Sequence, residues 1–213
     1  MSILAAHAQF QSADRAENAR VAAKKLGEEL AGVRPSHVVY FAARNYEHAV
    51  LARAMRDAFP GAVTFGCSSA GEIVNEQLFR NSVSAMAFSH GTFDFFAAAL
   101  IPRLTADGKP TDIREAVGAA LAGFGKRLGR EISSLDYTKY VGLVLADGIK
   151  YFIEPVVDRI SDLTTIPFIG GLAADDARFL DTPVYLDGRA VNDAALLLLL
   201  APSGKFGLLK TQG

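Results

Sequence analysis

The stretch TFGCSSAGEI, Thr64 to Ile73, gathers one thiol, two hydroxyls and a carboxylate at Cys67, Ser68, Ser69 and Glu72, directly after Gly66. A second stretch, TIPFIGGLAADDARF, sets Gly170 and Gly171 ahead of the paired acids Asp175 and Asp176, and Asp147-Gly148 follows the strand-like run KYVGLVLA. Glycine lacks a Cβ, so the main chain can approach a bound group closely. Consecutive N–H groups and hydroxyls suit an anionic group, and carboxylates suit an ammonium. A site holding both suits a zwitterion such as an amino acid. The same residues also have structural readings. In these, Gly66 and Gly170 are packing positions, and Asp175-Asp176 and Asp147-Gly148 are turn formers.

A nucleophilic Cys67 would require a lowered pKa and a nearby base. The histidines His7, His37, His48 and His90 form no local signature with it. A free cysteine that ends an apolar run is expected to be packed. The alternative is a cysteine-dependent acyl-transfer or hydrolytic enzyme, with Asp175 or Asp176 orienting a histidine. No CxxC, HxH or HExxH occurs, so no metal is expected, and neither a P-loop lysine nor a GxGxxG suggests a cofactor.

Lys and Arg number 22 against 23 Asp and Glu, a balance that argues against a nucleic-acid surface. One cysteine cannot close an internal disulfide, which suits a reducing compartment. The N-terminus has no basic region ahead of an apolar one, and the apolar run from Ala194 to Ala201 is too short to span a bilayer. The expectation is a cytoplasmic globular chain with no membrane partner.

The elements that must position these residues follow from periodicity. Apolar spacing predicts helices over 13–31, 47–59, 111–128 and 154–163. Asp14 and Glu17 resemble a capping box, and Gly32 and Gly129 stand at expected C-caps. Strand-like runs cover 37–43, 62–67, 82–89, 93–101, 139–146, 166–172, 183–186, 194–200 and 206–210. Both halves read helix, strand, helix, strand, strand, strand. Laid over each other, they match Phe65 with Ile169, Gly66 with Gly170, Ala43 with Asp147, and Glu72 with Asp176. The expected fold class is α/β in a mixed α+β arrangement, with two pseudo-repeated lobes, 1–101 and 102–213, forming one mixed-sheet core.

TFGCSSAGEI, LADG at 145–148, IGGLAADDARF at 169–179 and VYLDG at 184–188, in that order, resemble the N-terminal module of the FIST sensory domain. The resemblance covers about Val38 to Gly213. It implies an intracellular bacterial input domain for signal transduction that senses small ligands, amino acids being the favoured class, and that works with a signalling output protein. It brings no catalytic residues. It also implies a second, C-terminal FIST module after the position of Gly213, so residues 1–213 are expected to be the N-terminal module alone or a truncated product. The candidate ligand-binding residues are Gly66, Cys67, Ser68, Ser69, Glu72, Asp147, Gly170, Gly171, Asp175 and Asp176. They are expected to line one crevice.

Overall fold

The computed structural model describes residues 2–107, 109–149 and 153–209. The first part of the chain forms β1 (Ile3–Gln9), α1 (Arg15–Leu30), β2 (Pro35–Ala42), α2 (His48–Ala58), β3 (Val63–Ser68), the hairpin β4 (Glu72–Val74) and β5 (Gln77–Phe79), and β6 (Ser82–Ser89). The second part forms β7 (Phe93–Pro102), a minor hairpin of β8 (Thr105–Ala106) and β9 (Lys109–Pro110), α3 (Ile113–Leu128), β10 (Val141–Ala146), α4 (Ile153–Leu163), β11 (Phe168–Leu172), the hairpin β12 (Val184–Leu186) and β13 (Arg189–Val191), and β14 (Ala194–Pro202). The fold is mixed α+β.

The mixed-sheet core consists of two sheets stacked face to face. One sheet runs β1-β6-β2-β3-β12-β13 and the other β11-β10-β14-β7. Helices α1 and α2 cover the outer face of the first through Ala19, Ala23, Leu26, Leu51 and Met55, which meet Val38, Tyr40 and Ala85. Helices α3 and α4 cover the second through Val117, Leu121, Val156 and Ile160 against Val144, Leu197 and Leu199. Between the sheets, Phe65, Cys67 and Val184 pack on Leu145, Leu196 and Leu198. Strand β14 is thereby buried on both faces, and its sequence AALLLLLAP is continuously apolar for that reason. Each fully buried leucine there contributes roughly 1.5–3 kcal/mol.

The strand order β3-β2-β6-β1 recurs as β11-β10-β14-β7, with the same parallel and antiparallel partners. The cut between the two sets falls before β7, however, not after residue 101, because β7 belongs to the second sheet. The hairpin β12–β13 crosses in the other direction and extends the first sheet beyond β3. β1 escaped the sequence reading because its alanines carry little strand preference. Pairing with β6 along its whole length decides its conformation. Residues 206–209 form no strand, and Lys210 lies outside the described residues. Helix α1 ends at Leu30, and the left-handed residue after it is Arg34 rather than Gly32, whereas Gly129 caps α3 with φ 66° as expected. At the start of α1, Asp14 accepts from the N–H of Ala16 and Glu17, and Glu17 accepts from the Ser12 hydroxyl.

Two glycines set the spacing of the central strands. A Cβ on Gly66 would stand 1.7 Å from the Tyr40 carbonyl oxygen, and one on Gly170 would stand 1.7 Å from that of Val144. Gly66 also lies in register between Tyr40 on β2 and Tyr185 on β12. With no side chain between them, the two tyrosine rings close over Gly66 and stack at 4.8 Å with planes 4° apart. The Tyr185 hydroxyl then shares a 2.7 Å hydrogen bond with Nδ1 of His48 in the first turn of α2. Gly66→Ala should therefore cost about 3 kcal/mol in urea unfolding, in the upper range for overpacking. A Cβ on Gly171 meets nothing within 4 Å, so Gly171→Ala should stay within ~0.5 kcal/mol. Equal losses would refute the spacing role of Gly66.

His37 packs between the sheets against Phe93 and Phe96. Burial, with His90 nearby, pushes its ring down to about 4. The folded ring stays neutral while the unfolded chain takes up a proton below about pH 6.5. Its stabilising contribution is complete above that pH and is lost as pH falls towards about 4. Wild type should lose stability relative to His37→Phe across this window, and parallel pH curves would disprove the effect.

Candidate functional site

At the ends of β3 and β11 the two sheets part. They leave a crevice of about 400 Å³ lined by Phe41, Cys67, Ser68, Ser69, Leu143, Leu145, Ile169, Gly170, Gly171 and Leu172. Five of the ten residues named from sequence meet here: Cys67, Ser68 and Ser69 on one wall, Gly170 and Gly171 on the other. The local cause is strand alternation. Phe41 and Cys67 face the inner layer from the first sheet, and Leu143, Leu145 and Ile169 face it from the second. Ala174 N–H donates to the Ser68 carbonyl at 3.1 Å and ties the two strand ends together.

The other five lie elsewhere. Gly66 sits inside β3 beneath the stacked tyrosines and serves the strand spacing. Glu72 is buried at the start of β4, where it accepts from the Ser69 hydroxyl at 2.7 Å and from the Ser82 hydroxyl. Burial raises its pKa against the opposing pull of these bonds. Asp147 is buried and fully engaged. It accepts from Ile149 N–H and the Thr182 hydroxyl, both at 2.8 Å, and from Asp193 N–H at 2.7 Å. Asp175 accepts from four successive N–H groups, Arg178 to Asp181, and so stabilises a loop whose Asp176, Ala177 and Phe179 all adopt positive φ. Burial acts to raise the Asp175 pKa, but those four donors outweigh it and hold the carboxyl below its ordinary value. Asp176 pairs with Arg44 Nε at 3.4 Å, and both side chains are partly exposed.

The crevice is thus largely apolar. Its one ionisable side chain is the Cys67 thiol, which burial pushes up to about 12. The Ser68 hydroxyl is buried and has no hydrogen-bond partner among the described residues. The apolar wall residues Phe41, Leu143, Leu145, Ile169 and Leu172 were missed by a search for chemistry. In sequence they are strand core, and only the parting of the sheets turns them into a lining. A larger groove of about 710 Å³ lies on the outer helical layer along α3, but it is bordered by Lys126, Arg130, Glu131 and Asp162 and contains none of the motif residues. Among the described residues no group of His, Cys, Asp or Glu could hold a metal ion.

No curated protein matches the chain. The family model of the FIST N domain matches residues 36–213, which takes in both crevice walls and all of β3 to β14. The chain therefore belongs to the FIST N family of sensory signal-transduction domains.

Proposed function

We propose that the crevice between the sheets is the ligand site of a small-molecule sensory input domain, whose occupancy is passed to an output partner such as a second FIST module or a signalling protein. The supporting observation is the convergence of two segments about a hundred residues apart, Cys67–Ser69 and Gly170–Leu172, on one cavity. Its volume falls within the range of small-ligand sites, and its apolar lining with a few polar groups fits their usual chemistry. A ligand spanning it touches both sheets and changes how they pack, which gives the signal a mechanical route. The same reading places the domain inside the cell, where a lone buried thiol remains reduced. Among the described residues no helix is long and apolar enough to cross a membrane.

Cys67 reports on this reading. A thiol this buried should label slowly in the native protein and rapidly after unfolding. A thermal-shift screen of small metabolites supplies candidate ligands, and a ligand in the crevice should slow Cys67 labelling further. Stabilising ligands that leave the labelling rate unchanged would locate the site elsewhere. Fast stoichiometric labelling with a lowered apparent pKa would instead favour the cysteine-dependent enzyme.

A second reading keeps the amino-acid ligand and rests on Arg44 and Asp176, opposite charges 3.4 Å apart with side chains 38% and 40% exposed. A zwitterion can exchange with such a pair, carboxylate to Arg44 and ammonium to Asp176. Charge-assisted bonds of this kind are worth roughly 1.5–3 kcal/mol. Asp176→Asn should then weaken an amino acid found in the screen about ten- to a hundredfold by calorimetry. Unchanged affinity would remove Asp176 from the site.

A further inference from the structure

The two parallel strand pairs, β2–β3 and β10–β11, differ in one respect. In β3, Ser69 N–H turns to the Ala42 carbonyl on β2, while Ser68 N–H donates to Pro183 and the Thr64 carbonyl accepts from Asp187. The N–H and C=O groups of Thr64, Gly66 and Ser68 therefore face β12, and Gly66 pairs there with Tyr185. In β11, Ala173 N–H donates to Ala146 on β10 and the Pro167 carbonyl accepts from Gly142. By the same alternation Ile169 and Gly171 turn to β10, and Phe168, Gly170 and Leu172 turn away from it. Among the described residues no strand pairs on that side, because β11 is the edge of its sheet. The groups that Gly66 satisfies with a third strand have no strand partner at Gly170 among the described residues.

The open edge borders the crevice, and its surroundings are apolar and incompletely covered. Ile169 and Leu172 are 49% and 43% exposed. Phe41 is shared with a neighbouring groove on the inner face of the first sheet, where Met86 remains 39% exposed. The strand that occupies the corresponding edge of β3 has the sequence Val184-Tyr185-Leu186, set opposite Cys67, Gly66 and Phe65. The corresponding positions on β11 are Gly171, Gly170 and Ile169. A valine opposite Gly171 would find open space, since even a Cβ built on that glycine meets nothing within 4 Å. No acidic or basic side chain lines the crevice to bind a charged terminus.

We propose that the edge of β11 takes an uncharged, apolar, extended peptide, paired antiparallel through Gly170 as β12 pairs with β3 through Gly66, with alternate side chains in the crevice. The inference rests on the crevice being the ligand site and specifies the chemistry of its occupant. Main-chain pairing supplies affinity in this mode, and the pockets for alternate side chains supply selectivity.

The test uses the whole chain and the blocked tripeptide N-acetyl-Val-Tyr-Leu-amide, with its backbone N-methylated form and the free amino acids valine, tyrosine and leucine as comparators. Binding is read by calorimetry and thermal shift on wild type and Gly171→Leu, a substitution that fills the crevice from a position with room for it. The expected result is saturable binding of the blocked peptide to wild type, weakened about tenfold or more by N-methylation and by Gly171→Leu. If the free amino acids bind instead and lose affinity in Gly171→Leu, the crevice stands as the site and the peptide class is overturned. Equal binding of the methylated form overturns the strand pairing. Binding by no probe overturns the peptide class, and binding indifferent to Gly171→Leu overturns the crevice as well.

Discussion

The apolar layer in which Phe65 and Cys67 meet Leu145, Leu196 and Leu198 leaves neither sheet a polar inner face. Helices already cover both outer faces, so the central strands are largely apolar and most charged residues lie on loops and helix exteriors. This arrangement explains where function can reside. On the proposed reading a ligand reaches the core where the sheets separate at the ends of β3 and β11, beside the small residues Ser68, Ser69, Gly170 and Gly171.

The glycines of the two motifs then divide by role. Gly66 admits a carbonyl at a distance no side chain tolerates and lets Tyr40 and Tyr185 stack above it, which links three strands and, through His48, helix α2. Gly170 makes the same close approach to Val144 but, among the described residues, has no third strand beyond it. Gly171 faces open space. Three residues of one type thus serve strand spacing, an open edge and cavity volume, and only their neighbours distinguish them.

Much of the helix and strand content was legible in the sequence because it rests on local periodicity. The four helices and the strands of the central sheets follow the apolar spacing, and the overlay of Gly66 on Gly170 agrees with their matched registers to Tyr40 and Val144. What was not legible depends on contacts distant in sequence. Nothing local says that β7 joins the second sheet, that β12 joins the first, or that Ala5 and Ala6 lie in a strand. The acids show the same limit. Asp147 and Asp175 look like ligand groups in sequence, yet Asp175 is saturated by N–H groups of its own loop, and Asp147 by Ile149 together with the distant Thr182 and Asp193. A satisfied carboxylate cannot be told from a waiting one until its neighbours are placed.

The pairing of β12 with β3 has a consequence for synthesis. Leu186 emerges about 120 residues after its partner Phe65. At ribosomal speeds of roughly 5–20 residues per second, the edge of β3 stays unpaired for on the order of ten seconds while the first sheet is otherwise able to form. A nascent chain in that interval displays a central, apolar strand with its hydrogen-bonding groups exposed. It is open to mispairing with neighbouring chains until the hairpin Val184–Val191 arrives to close it.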